Sequence, residues 1–330
     1  MSKQYIDKVV SWIFTFDNKI KLENRQYDLL TIGELLIDMI SENYDDMFEG
    51  KTYNKFFGGS PANIAMNTKK LGISANIVAA VGKDGFGDFL IKQLKASKID
   101  TGCIQKVDSS TSLVIVTKSK NSPIPIFYRG ADYHLSYNPK LEEMIKNSKI
   151  VHFSSWPLSR QPARDTIERA IKEARKNNNI ICFDPNYHPM LWKSDKDGVE
   201  YIKALIAQVD IIKPSEDDAE RIFGKDSSEK QVAKFLKLGA KLVIMTMGSQ
   251  GAVVSNGVET IKFDTLASEI VDTTGAGDAF WSGFYAAIVK GYTIREALNF
   301  GFAVSAYKLR YVGAVVELPK LEVIKKVYNL

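Results

Sequence analysis

Six short, almost continuously apolar runs, at 27–32, 76–81, 149–153, 180–184, 209–213 and 241–246, constrain this chain more than any other feature. Side chains alternate between the two sides of a sheet, so a strand that is apolar at nearly every position has both faces covered. Helical patterns lie near 62–71, 85–97, 162–177, 198–208, 215–223 and 228–239. Regular strand–helix alternation implies a mostly parallel sheet with helices on both faces and right-handed crossovers. The expected fold class is α/β, a three-layer α/β/α body around a mostly parallel central sheet.

Segments 48–57 and 107–128 break the alternation, because they read as strands without intervening helices. They are expected to build a small β-sheet lid from about 46–58 and 107–131, as excursions from one body spanning 27–330. Residues 1–26 precede that body. Ile6, Val9, Val10, Ile13 and Phe14 recur at helical spacing there, which predicts an amphipathic helix packed on the core or on a second subunit. A helix lying on a membrane surface is the alternative. Asp7, Lys8 and Asp17 interrupt the apolar region that a signal peptide needs. No stretch reaches the roughly 18 uncharged apolar residues of a membrane span.

Charge and cysteine content narrow the partners. The 44 basic residues exceed the 39 acidic ones by only five, and they form no run or stripe. Nucleic acid is therefore not an expected partner. Cys103 and Cys182 stand far apart without a CxxC pair, and His134, His152 and His188 are equally scattered. Reduced cysteines and a cytoplasmic location are expected, and structural zinc is not.

The run Asp272-Thr273-Thr274-Gly275-Ala276-Gly277-Asp278 precedes an apolar, small-residue helix. Gly275 and Gly277 allow backbone N–H groups to turn inward at the positive end of that helix, which makes a site for a phosphate or for developing negative charge. Asp278, in the first turn, could accept a proton from an attacking hydroxyl. The same pattern also suits a plain glycine loop with Asp278 as a helix cap. Competing phosphate motifs fail. Gly50-Lys51-Thr52 lacks the upstream glycine of a P-loop, where Asp45 stands, and Phe280 replaces the third glycine of a dinucleotide fingerprint. Gly58-Gly59-Ser60-Pro61-Ala62 is one residue short of a nucleophile elbow.

The 272–278 run closely resembles the C-terminal signature of the ribokinase-like (PfkB) carbohydrate kinases. A second match is Gly58-Gly59-Ser60-Pro61-Ala62-Asn63-Ile64-Ala65, followed by Leu71-Gly72 and by 81–87. The resemblance runs along 27–320 and implies a ribokinase-like fold that phosphorylates a sugar hydroxyl with ATP. Asp278 then matches the catalytic base, and the Gly275, Ala276 and Gly277 amides match the anion hole. Asp38, Gly58, Gly59 and Asn63 match sugar-binding positions. Thr246, Gly248 and Gly251 match nucleotide contacts, and Asn299 and Ala303 match a helix facing the adenine. Mg²⁺ is implied with ATP. Ser215 and Asp218 replace the Asn and Glu often found near the metal, which leaves Asp218 a role through water. A potassium ion near Asp272, Thr274 and the Gly313-Ala314 loop is a further implication, as is a homodimer paired through the lid.

Residues 127–132, which include Arg129, and 184–192 resemble the fructokinase and 2-keto-3-deoxygluconate kinase branch, and look less like nucleoside or phosphofructo members. His188 stands where sugar-acid kinases commonly carry an arginine. A mostly neutral imidazole is a poorer carboxylate clamp than an arginine fork. The resemblance therefore favours a neutral hexose, fructose first, phosphorylated on a primary hydroxyl, with Arg129 as a sugar contact. A kinase of 2-keto-3-deoxygluconate or 5-dehydro-2-deoxygluconate is the alternative, which Arg129 keeps open because its side chain could pair a carboxylate instead of sugar hydroxyls. A sugar- or nucleotide-binding regulator on the same fold is the non-enzyme alternative, although binding alone needs no base such as Asp278.

Overall fold

The computed structural model describes residues 14–45, 47–118 and 125–330. In chain order its strands are β1 (Tyr27–Ile32), β2 (Leu36–Tyr44), β3 (Tyr53–Gly58), β4 (Ala75–Gly82), β5 (Ile104–Val107), β6 (Leu113–Lys118) and β7 (Ile126–Tyr128). β8 (Ser148–Ser154), β9 (Ile180–Asp184), β10 (Ile211–Ile212), β11 (Leu242–Thr246), β12 (Ala252–Ser255) and β13 (Thr260–Phe263) follow. The helices are α1 (Ser60–Lys70), α2 (Gly85–Ala96), α3 (Pro139–Lys146), α4 (Ala163–Lys176) and α5 (Asp195–Ile206). The remainder are α6 (Glu216–Phe223), α7 (Ser228–Lys237), α8 (Ala276–Val289), α9 (Ile294–Lys308) and α10 (Leu321–Val327).

The central sheet runs β13-β12-β11-β10-β9-β8-β1-β4-β5, parallel from β11 to β5 and antiparallel at the β12 and β13 edge. β1 shows why the apolar runs become central strands: Leu29 faces one core, and Leu30 and Ile32 face the other. One core lies under α1, α2, α8 and α9, and the second under α3, α4, α5 and α7. The expected three layers are present. α8 is buried along nearly its whole length, from Ala279 to Ile288. It sits close to α9, since a Cβ on Gly283 would come within 2.6 Å of the Phe300 carbonyl.

The lid is a separate four-stranded sheet in the order β3-β2-β6-β7. It is mixed, with β2 and β6 parallel and the outer pairs antiparallel. Its longest strand, β2, lies ahead of the segments from which the lid was expected.

The stripe residues Ile6, Val9, Val10 and Ile13 lie outside the described residues. From Phe14 on the extension is not helical: it straps across the body toward α9. Phe14 O accepts from Asn256 Nδ2 at 2.7 Å, Phe16 O from Arg295 N at 2.8 Å and Asn18 O from Ile294 N at 3.0 Å. The buried Phe14 and Phe16 rings anchor this strap. Cys103 and Cys182 are free and buried. Among the described residues, no helix is long and apolar enough to cross a membrane.

Candidate active site

In an open parallel sheet, ligands collect beyond the C-terminal ends of the strands, where the chain order reverses. β1 is such a point here, with β4 on one side and β8 on the other. Polar groups concentrate at that edge: Glu34 after β1, Ser154 ending β8, Asp184 ending β9, Lys213 after β10 and Thr246 ending β11. Into the same place points the first turn of α8.

Asp278 is the centre of the arrangement. Its Oδ1 accepts from Ser60 Oγ at 2.6 Å and its Oδ2 from Asn63 Nδ2 at 2.9 Å, both on α1. Burial pushes its carboxyl up to about 6, against the pull of those two hydrogen bonds. Two further acids lie close. Burial, and then the charge of Asp278, raises Asp38 to about 7. Burial raises Glu34 to about 8, against the pull of the hydrogen bonds it accepts from Ser154 Oγ and Ser60 N.

The glycines between them have a steric role. A Cβ on Gly58 would lie 2.3 Å from Asp38 Oδ2, so the bare backbone is what lets that carboxylate lie against it. Gly59 has φ +102°, and a Cβ there would meet the Glu34 carbonyl at 2.4 Å.

The loop before α8 is stapled through Asp272, whose Oδ1 accepts from Thr274 N at 2.9 Å and Oδ2 from Gly313 N at 2.7 Å. Burial acts to raise the Asp272 carboxyl, but the Gly313 and Thr274 donors outweigh it and hold it below the usual carboxylate range. Gly275, at φ +74°, ends the loop in a left-handed turn. Among the described residues, the N–H groups of Gly275 and Gly277 have no backbone acceptor, whereas Ala276 N turns back onto Thr273 O at 3.2 Å. Two of the three expected anion-hole donors are therefore free for a ligand, and Ala276 is tied into the turn. Beside them stands Lys213. Its ammonium lies 3.0 Å from Asp184 Oδ2, which also accepts from Trp281 Nε1 at 2.8 Å. The same ammonium would be 3.2 Å from a Cβ on Gly277, so a buried cation flanks the anion loop.

Two cavities meet at this loop, with Ile270 and Thr273 in the walls of both. One, about 1180 Å³, lies between the lid and residues 270–274, with Asp38, Asn54, Phe56 and Lys118 in its wall. The other, about 260 Å³, is lined by Thr246, Gly248, Gly251, Gly277 and α9. From α9 it takes Phe302, Ser305 and Ala306, and from the residue capping that helix Leu309. Neither Asn299 nor Ala303 lines it: Ala303 is fully buried in the core, because the helical repeat turns that position toward α8.

Other expected residues are placed less directly. Arg129 is spent internally: its side chain is 2% exposed, its fork holds Asp132, and it also donates to Ser159 Oγ and the Trp156 carbonyl. Asp218 forms a capping box with Ser215 and accepts from Tyr187 N at 2.6 Å, so both its oxygens are engaged. Among the described residues, no cluster of three His, Cys, Asp or Glu side chains could hold a metal. This donor set fits an outer-shell role toward Mg²⁺ carried in on ATP, which keeps several of its waters.

Glu34, Ser60, Asp184, Lys213 and Trp281 were not among the residues expected from sequence. Ser60 was within reach, since it lies inside the matched 58–65 segment. Glu34, Asp184 and Lys213 share one signal, a charged residue at the C-terminal end of a buried parallel strand.

Residues 26–321 match the family described as pfkB family carbohydrate kinase. A Thermoanaerobacterium thermosaccharolyticum protein named ATP-dependent 6-phosphofructokinase is 62% identical over 318 residues, covering 96% of this chain and 99% of that one. A Clostridium perfringens protein named 5-dehydro-2-deoxygluconokinase is 29% identical, covering 92% and 93%. The solved structure of Halothermothrix orenii fructokinase matches with a TM-score of 0.75 at 39% identity, covering 83% of this chain and 97% of that one. With its ribokinase-like α/β fold, the chain belongs to the pfkB family of carbohydrate kinases and is an ATP-dependent sugar kinase.

Proposed function

We propose that the acceptor is fructose 6-phosphate, and that the γ-phosphoryl group of ATP is transferred to its remaining primary hydroxyl, at C1. The observation that carries this reading is the 62% identity, over nearly the full length of both chains, to a protein named ATP-dependent 6-phosphofructokinase. The large cavity beneath the lid agrees with it, since about 1180 Å³ leaves room for a sugar that already bears a phosphate. This acceptor replaces the free hexose favoured from sequence.

In the proposed reaction the sugar lies under the lid and ATP in the smaller cavity. Asp38 accepts hydroxyl hydrogens of the sugar. Asn63 donates one side of its amide to Asp278, and its buried Oδ1 has no partner of its own, so it is free to accept a further hydroxyl. Asp278 takes the proton of the attacking hydroxyl, the oxygen bonds to the γ-phosphorus, and the bond to the bridging oxygen of ADP breaks. The Gly275 and Gly277 amides and the Lys213 ammonium stabilise the charge on the transferring group, which is most of what catalysis of this reaction requires. Mg²⁺ bound with ATP would neutralise phosphate charge, and Asp218, with both oxygens engaged, would hold it through water.

Unphosphorylated fructose is the second reading. It is favoured by the engagement of the expected arginine: Arg129 is committed to Asp132, and burial, then Arg221, lowers the His188 pKa. The same observations disfavour a sugar acid. Coupled ADP release with fructose 6-phosphate, fructose, 2-keto-3-deoxygluconate and 5-dehydro-2-deoxygluconate tests the assignment. The proposal expects kcat/KM for fructose 6-phosphate to exceed that for fructose by about 100-fold, the scale of one charge-assisted hydrogen bond lost with the phosphate. A preference for fructose would overturn it in favour of the second reading.

A further inference from the structure

The fold family implies a potassium ion near Asp272 and Thr274, and the residues present do not fit one. The Asp272 carboxylate is taken, one oxygen by Thr274 N and the other by Gly313 N. The Asp272 carbonyl is taken as well, because Lys308 Nζ donates to it at 2.7 Å. The same ammonium stands 4.0 Å from Asp272 Oδ2, and the Lys308 side chain is 0% exposed. A bare cation would have to displace these donors and sit against a buried positive charge.

Lys308 does not act alone. It lies one turn after Ser305 on α9, and Ser305 Oγ donates to the Ala276 carbonyl at 3.0 Å. Residues three apart on a helix share a face, so one edge of α9 grips two carbonyls of the anion loop. Peptide groups are rigid planes. The Ala276 carbonyl shares its peptide plane with the Gly277 N–H, so the Ser305 contact sets the direction of that donor, while the Lys308 contact fixes the Asp272–Thr273 peptide from which the loop runs to Gly275. The loop is thus held from behind by a fixed cation and used in front as an anion site.

We propose that Lys308 is a positioning residue whose buried ammonium takes the place of a monovalent metal ion behind the anion loop, so that phosphoryl transfer by this enzyme requires no potassium. The inference rests on the kinase activity and not on which sugar is the acceptor.

The first test uses the unaltered enzyme with its best acceptor, in tetramethylammonium buffer with and without KCl or NaCl. Rates within about two-fold of one another are expected. Stimulation by K⁺ of about five-fold or more overturns the proposal. The second test is Lys308→Met, with folding checked by Tm and nucleotide binding by calorimetry. kcat should fall about 100-fold, the scale of losing one preorganised charge at an anion site, with the acceptor KM within about three-fold. K⁺ or NH₄⁺, but not tetramethylammonium, should restore about ten-fold of that loss, whereas Lys308→Arg should retain more activity than Lys308→Met without added salt. A Lys308→Met enzyme with unchanged kcat, or one that folds and is rescued by neither ion, also overturns it. An error in the assigned sugar would appear in the acceptor panel and leave these cation responses unchanged.

Discussion

Replacing Ser60 by alanine separates the protonation state of Asp278 from everything else in the site. The Ser60 hydroxyl donates to Asp278 Oδ1 at 2.6 Å, a short bond to a carboxylate. Hydrogen bonds to charged groups contribute about 1.5–3 kcal/mol, and one pKa unit is about 1.4 kcal/mol. Complete loss would therefore raise the Asp278 pKa by about 1–2 units; replacement by water in this ligand cavity brings the expected shift to about one. The carboxyl, already pushed up to about 6, moves to about 7. Asp278 must be ionised to accept a proton, so the acid limb of kcat/KM moves up by that amount. At pH 8 the variant should stay within about two-fold of the parent, and at pH 6 it should fall about five-fold below it.

Stability moves with a definite sign. A raised folded-state pKa favours folding while the group is protonated, and that contribution is lost as pH rises through the folded value. The unliganded variant should therefore lose Tm relative to the parent at pH 8 and match it near pH 4. The assay is the pH profile of kcat/KM with ATP saturating. An acid limb within about 0.3 units of the parent's, in a variant with parental Tm at pH 4, would refute the reasoning. Either Asp278 is then not the group that limits the rate, or the hydroxyl does not tune it.

Gly58→Ala should leave ATP binding intact and raise the acceptor KM about ten-fold or more, because the new methyl falls 2.3 Å from Asp38 Oδ2 and displaces it; nucleotide calorimetry beside acceptor kinetics checks this. Lys213→Met should lower kcat about 100-fold with acceptor KM nearly unchanged. The pair Lys213→Met with Asp184→Asn should recover Tm, by neutralising the abandoned carboxylate, without recovering kcat. Phe16→Ala should cost about 3–5 kcal/mol in urea unfolding, since the 1% exposed ring is a core residue rather than part of a loose leader.

The central sheet was readable because burial on both faces writes itself into composition. β1 begins and ends where its apolar run does, at Tyr27 and Ile32. β2 was not readable: it continues the apolar character of β1 through Leu35, Leu36 and Ile37 but leaves the central sheet for the lid. No local pattern marks which sheet a strand joins. The edge hairpin of β12 and β13 carries a local signal, the Asn256-Gly257 pair between two short apolar runs. In the site, Asp278 and the glycines were legible because a helix start and its loop are contiguous in the chain. Lys308 was not. It reads as an ordinary solvent-facing lysine at a helix end, and only its contact with Asp272, 36 residues earlier, explains its complete burial.

The most direct test of the account is single-turnover phosphoryl transfer by Asp278→Asn, with acceptor and ATP binding measured on the same preparation. The asparagine keeps the size of the side chain and an oxygen for the Ser60 hydroxyl, so Tm should be unchanged or higher and both ligands should bind within about three-fold. Removing a general base lowers the rate by about 100- to 10,000-fold, and the fall should appear in the transfer step itself at pH 8 and narrow below pH 6, where the parent's Asp278 is protonated. A variant that folds, binds both ligands and transfers phosphate at a near-parental rate would contradict the assignment of Asp278 and the mechanism built on it.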